Sequence, residues 1–217
     1  MGRITLVGTV HKERGSCNEG ELIRILETIG PEVIFEEIRP SDFETHYRDK
    51  SRHTLEMRAI TTYLKVRPAR QVPVDDYEMP ESFGRNMWSL DQFVESRSRE
   101  YYAALDAIFQ MTSEFGFRYL NSPDYVAHIK RSDQLFEETV CKCGSDDQKE
   151  LLSMFNAQLR RRENAMMENV YGFCRTSTFT EGVFLVGAAH MSFIVEGIES
   201  RMRQEFGLVD WKIWSRP

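Results

Sequence analysis

Several absences bound what this 217-residue chain can be. It has no run of about 18 apolar residues, the length a membrane-spanning helix requires. It also has no basic leader followed by a signal-length apolar segment. A soluble, cytoplasmic chain with no membrane partner is therefore expected. A basic excess is missing too: 34 acidic residues against 28 basic ones give a formal net charge of −6, the wrong sign for holding a phosphate backbone, so no nucleic-acid partner is expected. Neither G-x-G-x-x-G nor G-x-x-x-x-G-K-[ST] occurs, which leaves a nucleotide-binding reading without a phosphate loop. The four cysteines, Cys17, Cys141, Cys143 and Cys174, show no C-x-x-C spacing and read as free thiols. No low-complexity tract or linker marks a domain boundary. What remains is ordinary globular composition, 41% hydrophobic and 29% charged, at a length that supports one α/β domain.

Arg3-Ile4-Thr5-Leu6-Val7 is apolar and β-branched and stops at Gly8, the pattern of a buried strand with its chemistry just past its C-terminal end. Leu22, Ile23, Leu26 and Ile29 recur at helical spacing and end at Gly30-Pro31. Val33-Ile34-Phe35 then forms a second short strand running into Glu36-Glu37. A strand, helix and strand in this order imply a parallel pair, which puts the C-terminal ends of both strands on one edge of the sheet. Residues 41–64 are compatible with helix, and Gln71-Val72-Pro73-Val74 resembles a strand ending on Asp75-Asp76. Long stretches without proline or glycine, the second unbroken until Gly172, predict helices over residues 87–114 and 148–173. Val183-Phe184-Leu185-Val186 repeats the opening strand, residues 191–206 return to helix, and residues 209–214 supply a last strand. The expected fold is a single α/β domain over residues 1–217, with a central mixed, mainly parallel sheet, flanking helices and a mainly helical insertion at about residues 87–173.

Two segments share Leu-Val-Gly-x-x-His, one at residues 6–11 and one at residues 185–190, each at the exit of an apolar strand. A glycine there permits close backbone approach, and the histidine three residues later can turn over the end of the sheet. Strand ends favour glycine in any case, so on the residues alone a pair of structural histidines and a pair of ligands both stay open. If His11 and His190 meet one carboxylate of Glu36-Glu37, they form an incomplete first shell for a divalent metal, with room for an activated water. Neighbouring strand residues point to opposite faces, so only one of Glu36 and Glu37 is expected to face the site. Arg162 and Met166 share a helix face at i, i+4; a basic solvated face with Met166 packed inward is the alternative. His46, His53 and His128 read as surface residues.

These motifs, in this order, resemble the TraB/TIKI/GumN superfamily, which is related in fold to erythromycin-esterase-like and ChaN-like proteins. The matching residues are Gly8-Thr9-Val10-His11, Phe35-Glu36, the Arg162 to Met166 helix and Gly187-Ala188-Ala189-His190. Glu163 departs from the pattern, which has Asp or Asn there. Asp75 is similar to a further acidic position. The resemblance implies His11, His190 and Glu36 as metal ligands, with manganese or cobalt as the metal. It also implies Glu36, in preference to Glu37, and Arg162 as catalytic groups, and Arg162, Asp75 and Met166 as substrate-binding residues; Glu37 is a catalytic candidate on the residues' own reading, as the second carboxylate that takes a proton. The implied function is a metal-dependent hydrolase of peptide or other amide or ester bonds, as in TIKI-like peptidases. The alternative is a protein that binds a peptide or small-molecule signal without turning it over, similar to pheromone-shutdown proteins.

Overall fold

A computed structural model describes residues 1–49, 53–76 and 81–215. Five strands form one sheet in the order β3-β2-β4-β1-β5: β1 (Gly2–Thr9), β2 (Val33–Glu36), β3 (Arg70–Pro73), β4 (Glu181–Gly187) and β5 (Val209–Ile213). Every pairing is parallel, so the expected α/β fold holds and its sheet is all parallel, with no antiparallel strand among the described residues. The central strands β1, β2 and β4 carry continuous buried runs, as parallel strands covered by helices do.

Local chemistry sets the helices. α1 (Glu19–Ile29) starts at Asn18, whose side chain accepts from the Glu21 N–H, and stops at Gly30. Residues 41–64, read as one helical region, hold two helices, α2 (Phe43–Arg48) and α3 (Leu55–Tyr63); residues 50–52 lie outside the described residues. α3 is capped by Thr54. The insertion contains α4 (Glu81–Glu95), α5 (Arg99–Phe115), α6 (Phe117–Leu120), α7 (Pro123–Cys143) and α8 (Asp146–Thr176). Ser98 caps α5 and so breaks the stretch over residues 87–114 into two helices, and a Ser145–Gln148 capping box opens α8. Leu90, Val94, Tyr101, Leu135, Val140 and Leu152 give the insertion a small apolar cluster separate from the main core. A 3-10 turn, Ala188–His190, leads from β4 into α9 (Met191–Gln204). Among the described residues, no helix is long and apolar enough to cross a membrane.

The strand order places the site. From β1 the chain crosses β4 by way of α1 to reach β2, whereas from β4 it crosses β1 by way of α9 to reach β5. Right-handed crossovers running in opposite directions lie on opposite faces of the sheet. Consistently, α1 packs on α3 and β4, while α8 packs on α9. The connections leaving the C-terminal ends of β1 and β4 therefore diverge and open a crevice between those two ends. Such a switch point is where open parallel sheets bind ligands.

Candidate functional site

Both histidine turns open at this switch point. Thr9 pairs with Gly187 across the parallel ladder, so the two Gly-x-x-His segments leave the sheet side by side, as their shared sequence predicted. The glycines are needed for close approach: a Cβ on Gly8 would sit 2.9 Å from Met191 Cγ, and one on Gly187 would sit 3.2 Å from a Glu37 carboxylate oxygen. Asn121, at the end of α6, clamps Gly8 by accepting from its N–H at 2.7 Å and donating to its carbonyl at 3.1 Å.

The two histidines occupy different environments. His190 is buried, with 9% of its side chain exposed, and both ring nitrogens face carboxylates: Nδ1 lies 2.9 Å from Glu163 Oε1 and Nε2 lies 3.4 Å from Glu37 Oε1. Glu37 also accepts the Gly187 N–H at 2.6 Å and a hydrogen bond from Arg162. Arg162 Nε donates to Asp75 at 3.0 Å, and Arg160 lies 3.3 Å from the second oxygen of Glu163. Burial opposes charge on His190, but its hydrogen bonds to Glu163 and Glu37 outweigh that and raise its pKa to about 9. Burial likewise opposes charge on Glu37, yet His190, Arg162 and the Gly187 N–H bring it down to about 2. The floor of the crevice is thus a charge-balanced network in which the His190 imidazolium and two arginines face Glu37, Glu163 and Asp75.

His11 sits above this floor with 61% of its side chain exposed. Its Nδ1 lies 3.2 Å from Glu56 Oε1, which also accepts the Thr9 hydroxyl at 2.7 Å. The hydrogen bond to Glu56 outweighs partial burial and raises the His11 pKa above its ordinary value. The other Glu56 oxygen is buried without a partner among the described residues. His11 Nε2 makes no hydrogen bond among the described residues. A cavity of about 200 Å³ lies here, lined by His11, Glu36, Glu37, Glu56 and Arg162 together with apolar Met57, Ile60 and Leu185.

Glu36 and Glu37 both line this cavity, contrary to the expected alternation. β2 ends at Glu36, and the Ile38 N–H then bonds to the Glu36 carbonyl at 2.8 Å, a tight turn that breaks the period of two and brings Glu37 round to the same side. Burial raises the Glu36 carboxyl to about 7, against hydrogen bonds from Tyr47 and from Gln71, the latter at 2.9 Å.

The structure therefore gathers His11, Glu36, Glu37, Asp75, Arg162 and His190 at one strand edge, but their roles shift. Met166 is fully buried in the main core and does not line the cavity, so helical spacing placed it inward to pack rather than to bind. Arg162 is already paired with two carboxylates and is not a free receptor for a substrate anion. His46, read as a surface residue, is half-buried and lines the cavity, and His53 is half-buried against the Tyr47 carbonyl; His128 is exposed. Glu56 and Tyr47 were not anticipated.

The implied metal set of His11, His190 and Glu36 does not fit this arrangement. Protonated His190 offers no lone pair, because both its nitrogens serve carboxylates, and each Glu36 oxygen already accepts one hydrogen bond, from Tyr47 and from Gln71. Among the described residues, no three His, Cys, Asp or Glu side chains converge as a metal-holding group.

Comparison with known proteins gives no further bearing on the site. No protein-family model, curated protein or solved structure matches the chain.

Proposed function

We propose that the chain is a hydrolase of amide or ester bonds, in peptides or small molecules, acting in the crevice between β1 and β4. The observation that carries this reading is the His11–Glu56 pair, in which a carboxylate holds one imidazole nitrogen of a cavity-lining histidine and the other nitrogen makes no hydrogen bond among the described residues. A histidine oriented in this way serves as a general base. His11 Nε2 takes a proton from water, the water oxygen attacks the carbonyl carbon, and Glu36 in its protonated form supplies a proton to the departing nitrogen or oxygen. Hydrolysis then rises with pH as His11 loses its proton and falls as Glu36 loses its own at about 7. The floor of Glu37, Arg162 and His190 stays charged throughout and fixes the crevice walls. The resemblance to the TraB/TIKI/GumN superfamily agrees with amide or ester hydrolysis, but implies a metal-dependent route to it.

Incubating untagged protein with peptide libraries and aryl-ester panels tests the reading, with one set of samples in chelator and another with added manganese or cobalt. Cleaved products in the chelated samples are expected. Cleavage that needs added metal favours the metal-dependent route implied by the resemblance. A tightly bound peptide recovered intact from every sample overturns hydrolysis in favour of a binding protein.

A further inference from the structure

A larger cavity, of about 580 Å³, lies in the helical insertion between α4, α5, α7 and α8, and the hydrolase reading makes no use of it. Its volume falls in the range of small-molecule sites. Four aromatic side chains, Trp88, Tyr101, Phe136 and Phe155, contribute to its wall. Three of them are in ring contacts: Tyr101 meets Phe136 edge-on at 5.4 Å, and Phe155 stacks on Phe83 at 5.8 Å. Trp88 stands at the cavity with 68% of its surface exposed, a large indole presented to solvent.

Asp91, Asp133 and Glu137 share the lining. Asp91 accepts the Tyr101 hydroxyl at 3.0 Å and Glu137 accepts the Asn156 amide at 2.9 Å, whereas Asp133 has no hydrogen-bond partner among the described residues. Arg160, the cation among these lining residues, lies 3.3 Å from Glu163, its guanidinium sits 4.5 Å from the Phe193 ring centre, and its charge also acts on Asp133. The cavity thus combines four aromatic rings with three carboxylates against one engaged guanidinium. Ring faces attract cations through their quadrupole, and carboxylates attract them by charge, so both parts of the lining select the same ligand sign.

We propose that this cavity is a second binding site, for a small organic cation carrying an alkylammonium or guanidinium group. The cation's charged head lies against Asp133 and its stem lies along Trp88 and Phe155. The proposal is independent of the hydrolase reading, because none of these residues lines the crevice between β1 and β4.

Calorimetric titration of the full chain with agmatine and pentylammonium, beside the neutral isostere pentanol, tests it. Both cations are expected to bind at least about tenfold more tightly than pentanol, and their binding should weaken as salt rises. Trp88→Ala and Asp133→Asn each replace an exposed side chain and so leave folding intact, which circular dichroism verifies; each is expected to weaken agmatine about tenfold. His11→Ala should leave agmatine binding unchanged, and this separates the site from the crevice. A capped arginine peptide that binds more tightly than agmatine supports the site and names a peptide side chain as its source. Cations that bind no better than pentanol, or variants that bind agmatine like the parent, overturn the proposal.

Discussion

Glu37→Ala destabilises the protein by about 3–5 kcal/mol, the cost of removing one member of a buried charge network. Glu37 is the hub of the crevice floor: one oxygen meets both Arg162 and His190, and the other receives the Gly187 N–H. Its removal leaves the buried His190 imidazolium with only Glu163, leaves Arg162 with only Asp75 and strips Gly187 of its acceptor. Uncompensated buried charge is more costly than a missing contact, and His190, with 9% of its side chain exposed, has little access to water. Urea denaturation at pH 7 should show a lower midpoint with an unchanged slope. The contrasting variant Glu56→Gln should cost far less, since the Thr9 hydroxyl keeps an amide oxygen to donate to and His11 is mostly exposed. Equal stability of Glu37→Ala and the parent would show that the floor is not a coupled network.

The second large effect is on rate. Removing a positioned general base costs about 10²–10⁴-fold in kcat, so His11→Ala should lower hydrolysis of the best substrate from the panel by that factor. Its stability should stay close to that of the parent, because His11 projects into solvent and contributes little packing. Glu56→Gln should retain part of the rate and move the acidic limb of the pH profile to lower pH, since the carboxylate that holds the His11 pKa up is gone. A purely structural role for Glu56 would lower the rate without moving that limb.

Much of this architecture was legible in the sequence because parallel strands announce themselves as apolar runs that stop at glycine or acid. β1, β2 and β4 lie where those runs predicted, β5 lies on the last strand candidate at residues 209–214, and the matched Leu-Val-Gly-x-x-His phrases did become ladder neighbours. Glu56 stayed hidden. It lies 45 residues from His11 on a helix with a mixed polar face, and only the packing of α3 on α1 delivers it to the strand edge. The pairing of Glu36 and Glu37 was misjudged because strand alternation was carried one residue past the end of β2, where a tight turn resets it. The charge state of His190 was also invisible, since it depends on Glu163 one helix away, a residue read only as a departure from a motif. Motif spacing thus locates the histidines, whereas their protonation is decided by partners far off in the chain.

That difference in protonation is the centre of the account: two similar turns give one buried imidazolium that holds the site together and one exposed imidazole that works in it. Histidine nitrogen shifts, followed by NMR from pH 5 to 10, test this directly. His190 is expected to carry protons on both nitrogens at pH 7.5 and to lose one only near about 9, while His11 titrates above its ordinary value. A His190 that is neutral at pH 7.5, with one bare nitrogen, would contradict the charge-balanced floor and restore that residue as a metal ligand.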